Sequence, residues 1–144
     1  MTVPDRIERV LDLTHDAATV WEAITTAEGL GGWFGSSASI DLRPGGLAQV
    51  TWDQDQSTLS IKVVEPSHRF AFTWAIDGMP ETDPRDTYVE FTLEPIPTGT
   101  RLTVVETGFA QAPEGPAERA HRDNQQGWEQ ELRELVEYLD ARVA

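Results

Sequence analysis

Cysteine is absent from this 144-residue chain, which removes thiol nucleophiles, thiolate metal sites and disulfides together. Lysine occurs once, as Lys62, and 11 basic residues stand against 25 acidic ones for a net charge of −14. Nucleic acid and anionic lipid surfaces repel such a chain, and no basic stripe offsets the repulsion, so neither is expected as a partner. No apolar run approaches the ~18 residues of a membrane-spanning segment. The opening MTVPDRIERV lacks the apolar core of a signal peptide, so a cytoplasmic location is expected.

Several chemical motifs are missing as well. There is no G-x-S-x-G nucleophile elbow. GLGGWFG, residues 29–35, follows a helical pattern, has no lysine and misses the spacing of a dinucleotide fingerprint, so it is no phosphate loop. The stretch DQDQS, residues 53–57, is followed by Thr58 where a calcium loop needs glycine, and reads as a hairpin turn. His15, His68 and His121 fall on separate elements without ligand spacing, so no metal or other cofactor is expected. His15 and His68 sit at turns and read as ordinary surface residues. His121 lies on a helix near Asn124, facing either solvent or the interior. No catalytic set is identified.

What is present suits one domain, residues 1–144, because a chain of this size buries roughly 70% of its unfolded surface. Residues 6–13 read as a strand with Ile7 and either Leu11 or Leu13 inward. Asp16 is placed to cap a helix carrying Ala17, Val20, Trp21 and Ile24 at helical spacing. A second short helix from Thr26 aligns Leu30, Trp33 and Phe34. Each glycine inside it costs about 1 kcal/mol relative to alanine, so it reads as a loose flap held by aromatic contacts. Strands then follow in SASIDL, LAQVTWD, STLSIKVVEP, HRFAFTWAID, DTYVEFTLEP and TRLTVVETGF, with the turn Arg43–Gly46 between the first two. Ala48, Val50 and Trp52 share one face, as do Leu59, Ile61 and Val63, and Phe70, Phe72, Trp74 and Ile76. Val89, Phe91 and Leu93 point inward, and so do Leu102, Val104 and, by the same alternation, Glu106. Short connections without intervening helices predict an antiparallel meander.

A long helix closes the chain, opening at Pro116 or Ala117 and running to about Val143, roughly 40 Å. Its second half carries the stripe Trp128, Leu132, Leu135, Val136, Leu139 and Val143; its first half continues that face with Ala117, Ala120, Asn124 and Gly127. The inward sheet face is bulky and the leading half of its cover is slender. Either the sheet curls until its own side chains meet, or a hollow remains, and apolar volume left empty is costly unless a ligand uses it.

VWEAITTAEGLGGWFG, DLRPGG, VVEPSHRFAFTW, GTRLTVVETGF and GWEQELRELVEYL occur in the order seen in the START-like (SRPBCC, helix-grip) superfamily. More narrowly, the chain resembles the activator of heat-shock protein 90 ATPase homologue-like family from about residue 7 to residue 140. That resemblance implies an α+β helix-grip fold: a curved antiparallel β-sheet wrapped around a long C-terminal helix, with two short helices after the first strand and an internal cavity. Related proteins bind lipids, sterols, hormones or polyketides, and some are cyclases. The eukaryotic activators make their main chaperone contact through an additional N-terminal domain, which has no counterpart in these residues.

These readings converge on a partner that is a small hydrophobic molecule, lipid-, sterol- or polyketide-like. Trp33, Phe34, Trp52, Phe72, Trp74, Phe91 and Val104 are the candidate apolar contacts, the alternative for the aromatics being plain core. Glu106 and Asn124 are the candidate polar ones. An inward Glu106 would titrate nearer neutrality and hold a ligand hydroxyl or amine, act as a general acid or base, or serve as a structural carboxylate. A strand-end bulge near Gly108 would instead turn it outward. A cyclase- or hydrolase-type enzyme is the first alternative, and a chaperone-associated interaction module, which needs an exposed apolar patch, is the second. Monomer and homodimer are both compatible with the sequence.

Overall fold

The computed structural model describes residues 4–53, 55–76, 79–80 and 82–142. Seven strands form: β1 (Arg6–Leu13), β2 (Ser37–Ile40), β3 (Leu47–Trp52), β4 (Asp55–Glu65), β5 (Arg69–Ala75), β6 (Asp86–Ile96) and β7 (Gly99–Thr107). They pair antiparallel throughout in the order β1-β7-β6-β5-β4-β3-β2, so the first strand closes one side of the meander beside the last. Helices α1 (Ala17–Thr25) and α2 (Ala27–Trp33) join β1 to β2, and α3 (Glu114–Ala141) crosses the concave face after a 3₁₀ turn at Phe109–Gln111. This is the helix-grip arrangement.

The register explains the core. Phe72 opposes Ile61 on β4 and Val89 on β6, while Phe91 opposes Phe70 and Val104. Cross-strand neighbours share a face, so these side chains stack into one buried layer that α3 covers with Leu132, Leu135 and Leu139. One strand departs from simple alternation. The β4–β5 register shifts between Ile61 and Val63, so Val64, opposite Phe70, packs on the core in place of the expected Val63. An extra residue in one strand reverses the faces beyond it.

Helix α3 starts earlier than expected, at Glu114 with Pro113 in the N-cap position, because Pro116 lies in the first turn where its missing N–H has no intrahelical partner. The expected end at Val143 lies outside the described residues. Among the described residues, no helix is long and apolar enough to cross a membrane.

The glycines of α2 mark close approaches. A Cβ on Gly29 would collide with the Ala23 carbonyl, and one on Gly32 with the Tyr138 ring of α3. The helix is capped by the Thr26 hydroxyl, which accepts from the Gly29 N–H at 2.9 Å. The Trp33 indole donates to the Ala23 carbonyl at 2.8 Å. The loose flap expected from glycine content is thus a tightly fitted brace, its low helical propensity offset by contacts that only glycine permits.

Candidate functional site

Glu106 projects from β7 into the interior and is fully buried. Its carboxylate gathers donors from three other elements. The Trp74 indole of β5 donates to Oε2 at 2.7 Å and the Trp128 indole of α3 to Oε1 at 2.8 Å. The Asn124 amide of α3 donates to Oε2 at 2.9 Å and to Oε1 at 3.1 Å, and the Thr87 hydroxyl of β6 also donates to Oε2. Indole and amide N–H groups can only donate, so the site is built for an acceptor with several lone pairs, as a carboxylate is. A buried carboxylate without such partners would be prohibitively costly. Neither a lysine nor an arginine is among the partners. The alternation that pointed Glu106 inward is realised, because β7 keeps its register through Glu106, opposite Ile7 and Val89.

Side-chain volume is spread unevenly between sheet and helix, and open clefts stand where an internal cavity was expected. Toward the second half of α3 the rings fill their own space: Phe70 stacks with Phe91 at 6.2 Å, and Phe91 meets Trp128 edge-on at 5.8 Å. Beside the slender first half two clefts remain. The outer holds about 390 Å³ between Trp52, Ser57, Trp74 and Ile76 on the sheet and Arg119, Ala120, Asp123 and Asn124 on the helix. The inner holds about 200 Å³ and adds Phe34, Gly127, Trp128 and Glu131. Trp52, Trp74, Asp123 and Asn124 line both, so the two clefts adjoin, and each is open at the side rather than sealed.

The candidate residues therefore separate. Phe34, Trp52, Trp74 and Asn124 line the clefts. Trp33, Phe72, Phe91 and Val104 are buried in the packed interior and line neither. Glu106 lies behind the cleft wall, holding Trp74 and Asn124 in place.

Glu131 was missed by the sequence reading. It follows Asn124, Gly127 and Trp128 at helical spacing, so their shared face was the available signal. Its Oε2 is closed off from solvent without a hydrogen-bond partner. Burial, and then the neighbouring Glu134, pushes its carboxyl up to about 8.

Two histidines settle elsewhere. His15 is buried rather than superficial, its Nε2 2.9 Å from Asp140 Oδ1, because the β1–α1 turn tucks under the end of α3. His121 faces away from the cleft, against the Phe109 ring and the Arg6 carbonyl, 3.2 Å from Nε2.

A curved antiparallel sheet gripping one long helix, with a side cleft at the helix's leading half, defines a protein of the START-like, helix-grip class. Within it, the chain belongs to the family described as activator of Hsp90 ATPase homolog 1-like protein, which matches residues 14–140. MLL2253 from Mesorhizobium loti is similar in fold, with a TM-score of 0.83 at 23% identity, covering 96% of this chain and 98% of that one. DynU16, from the dynemicin biosynthetic locus, gives a TM-score of 0.78 at 25% identity over 95% of this chain and 48% of its own. The Aha1 dimer from Colwellia psychrerythraea gives 0.76 at 19% identity over 93% and 95%. Among curated proteins, none matches this sequence.

Proposed function

We propose that this protein binds a small hydrophobic molecule in the cleft between the ends of β3 and β5 that carry Trp52 and Trp74 and the first half of α3. The observation that carries the reading is the pair of half-buried indoles, Trp52 and Trp74, which line both hollows. The helix face opposite them is thinned by the small residues Ala120 and Gly127, with Asn124 between them and the longer Arg119, Asp123, Trp128 and Glu131 at the cleft margins. Half-buried aromatic rings, braced from behind by other rings and bordering a concave space, are the usual make-up of a small-molecule site. In this reading Trp52, Trp74 and Phe34 supply apolar contact, and Asn124 is the polar group at the wall. Glu106 is a positioning residue that acts through Trp74 and Asn124. The fold likeness to a protein of the dynemicin biosynthetic locus favours a polyketide-like molecule within the lipid, sterol and polyketide range.

The test is native mass spectrometry of protein purified from its own host, followed by binding of any co-purified molecule to Trp52→Ala. We expect a bound species and an affinity loss of about tenfold or more in the variant, as for a buried aromatic anchor. Undiminished binding by Trp52→Ala would remove the cleft as the site.

A further inference from the structure

The inner cleft has a charge pattern that a purely apolar ligand does not use. Among the described residues its lining contains Asp123 and Glu131 and no arginine, lysine or histidine. The sheet and α2 contribute only the rings of Phe34, Trp52 and Trp74 to it, and the carboxylate behind that wall is Glu106. The basic groups nearby lie outside: Arg119 lines the outer cleft, and Arg122 Nε sits 3.6 Å from Asp123 Oδ1 on the exposed helix flank. Trp52 and Trp74 both line it, half-buried, their rings 6.5 Å apart at 58° and braced by Phe34, which stacks on Trp74 at 5.8 Å and meets Trp52 edge-on at 5.0 Å. On the helix side of the same lining, Glu131 Oε2 is an acceptor removed from water with no hydrogen-bond partner among the described residues. Aromatic faces with carboxyl groups and no cation form an environment that attracts positive charge.

We propose that the inner cleft recognises an organic cation, a quaternary or protonated amine carried on a small apolar body, through the Trp52 and Trp74 rings and the carboxyls of Asp123 and Glu131. The inference rests on the cleft being the binding site, as argued above, and adds the chemical class of the ligand. A cation seated there meets the unpartnered Glu131 oxygen and favours its ionised form. Binding therefore releases a proton wherever Glu131 is protonated in the free protein. The titratable neighbour that acts on Glu131 is Glu134 on its own helix, and Asp123 lines the same cleft; both are acidic, and each adds attraction for the cation.

The probes are phenyltrimethylammonium and its neutral isostere tert-butylbenzene, which share shape and differ in charge. Neither titrates, so any pH dependence belongs to the protein. Binding is read from the Trp52 and Trp74 indole N–H resonances. We expect phenyltrimethylammonium to bind about tenfold more tightly than tert-butylbenzene at pH ~9. Its affinity should rise between pH ~7 and pH ~9 in the parent and stay level in Glu131→Gln, with tert-butylbenzene unaffected by pH or variant. Equal or tighter binding of tert-butylbenzene would overturn the charge inference and leave the cleft standing as an apolar site. If neither probe moves the indole resonances, the cleft assignment falls and the charge inference with it.

Discussion

At the level of single residues, Glu106 and Glu131 show how one side-chain type takes opposite roles. Glu106 is fully buried and surrounded by donors from two strands and a helix; Glu131 has a buried oxygen with none among the described residues. Glu106→Gln keeps the shape but turns an amide N–H₂ toward indole and amide N–H groups that can only donate. We expect a loss of about 2–4 kcal/mol, the scale of a broken charge-assisted hydrogen bond with its partners left unsatisfied, measured by urea unfolding. A variant as stable as the parent would show that Glu106 is not the clasp between α3 and the sheet. For Glu131 the expected effect is on pH dependence. Its carboxyl titrates at about 8 in the folded chain against an ordinary value of 4.5. Between those values the folded chain holds a proton that the unfolded chain has lost, so stability falls as pH rises through that window. Glu131→Gln should flatten the fall and raise Tm relative to the parent above pH ~8, read from melting curves between pH ~5 and pH ~9. An unchanged slope would assign the fall to another group.

For elements, α2 is the instructive case. Summed propensity argued for weakness, yet its glycines sit where the Ala23 carbonyl and the Tyr138 ring press against the backbone. Gly29→Ala improves helical propensity by about 1 kcal/mol and still should destabilise, by roughly 1–3 kcal/mol, because the added methyl meets backbone that cannot step aside. A stabilised variant would restore the picture of a loose flap. The long helix was plain in its spacing, from Trp128 to Leu139 on one face, and so was the alternation of β5 from Phe70 to Trp74. The bulge at Lys62 was not, since Ile61, Val63 and Val64 are all β-branched and equally suited to either face. His15 escaped notice for a related reason: a turn residue looks exposed until the far end of the chain closes over it.

Across the whole molecule, the fold places the cleft where side-chain volume runs out. A ligand that binds only the folded chain raises its stability by about 2.7 kcal/mol at a hundredfold excess over Kd, which should raise Tm by roughly 5–10 °C. Thermal melting with the co-purified molecule checks this, and no shift at saturation would argue against binding to the native state. The strong net negative charge should also leave the protein unretained by heparin at low salt.

Local pattern determined a good deal by itself. Period-two alternation places Glu106 inward, helical spacing draws the stripe of α3, and small residues at 117, 120 and 127 announce missing volume. These depend on neighbours in sequence, where backbone geometry is regular. Only the tertiary structure decided that the sheet's rings close on one another under the second half of α3, leaving the hollow at its leading half. It also decided that Phe72, Phe91 and Val104 belong to the interior while Trp52 and Trp74 face the cleft, and that Glu131 is stranded beside them. Those outcomes depend on how far apart two curved surfaces come to rest, a distance set by every contact between them and written in no short stretch of the chain.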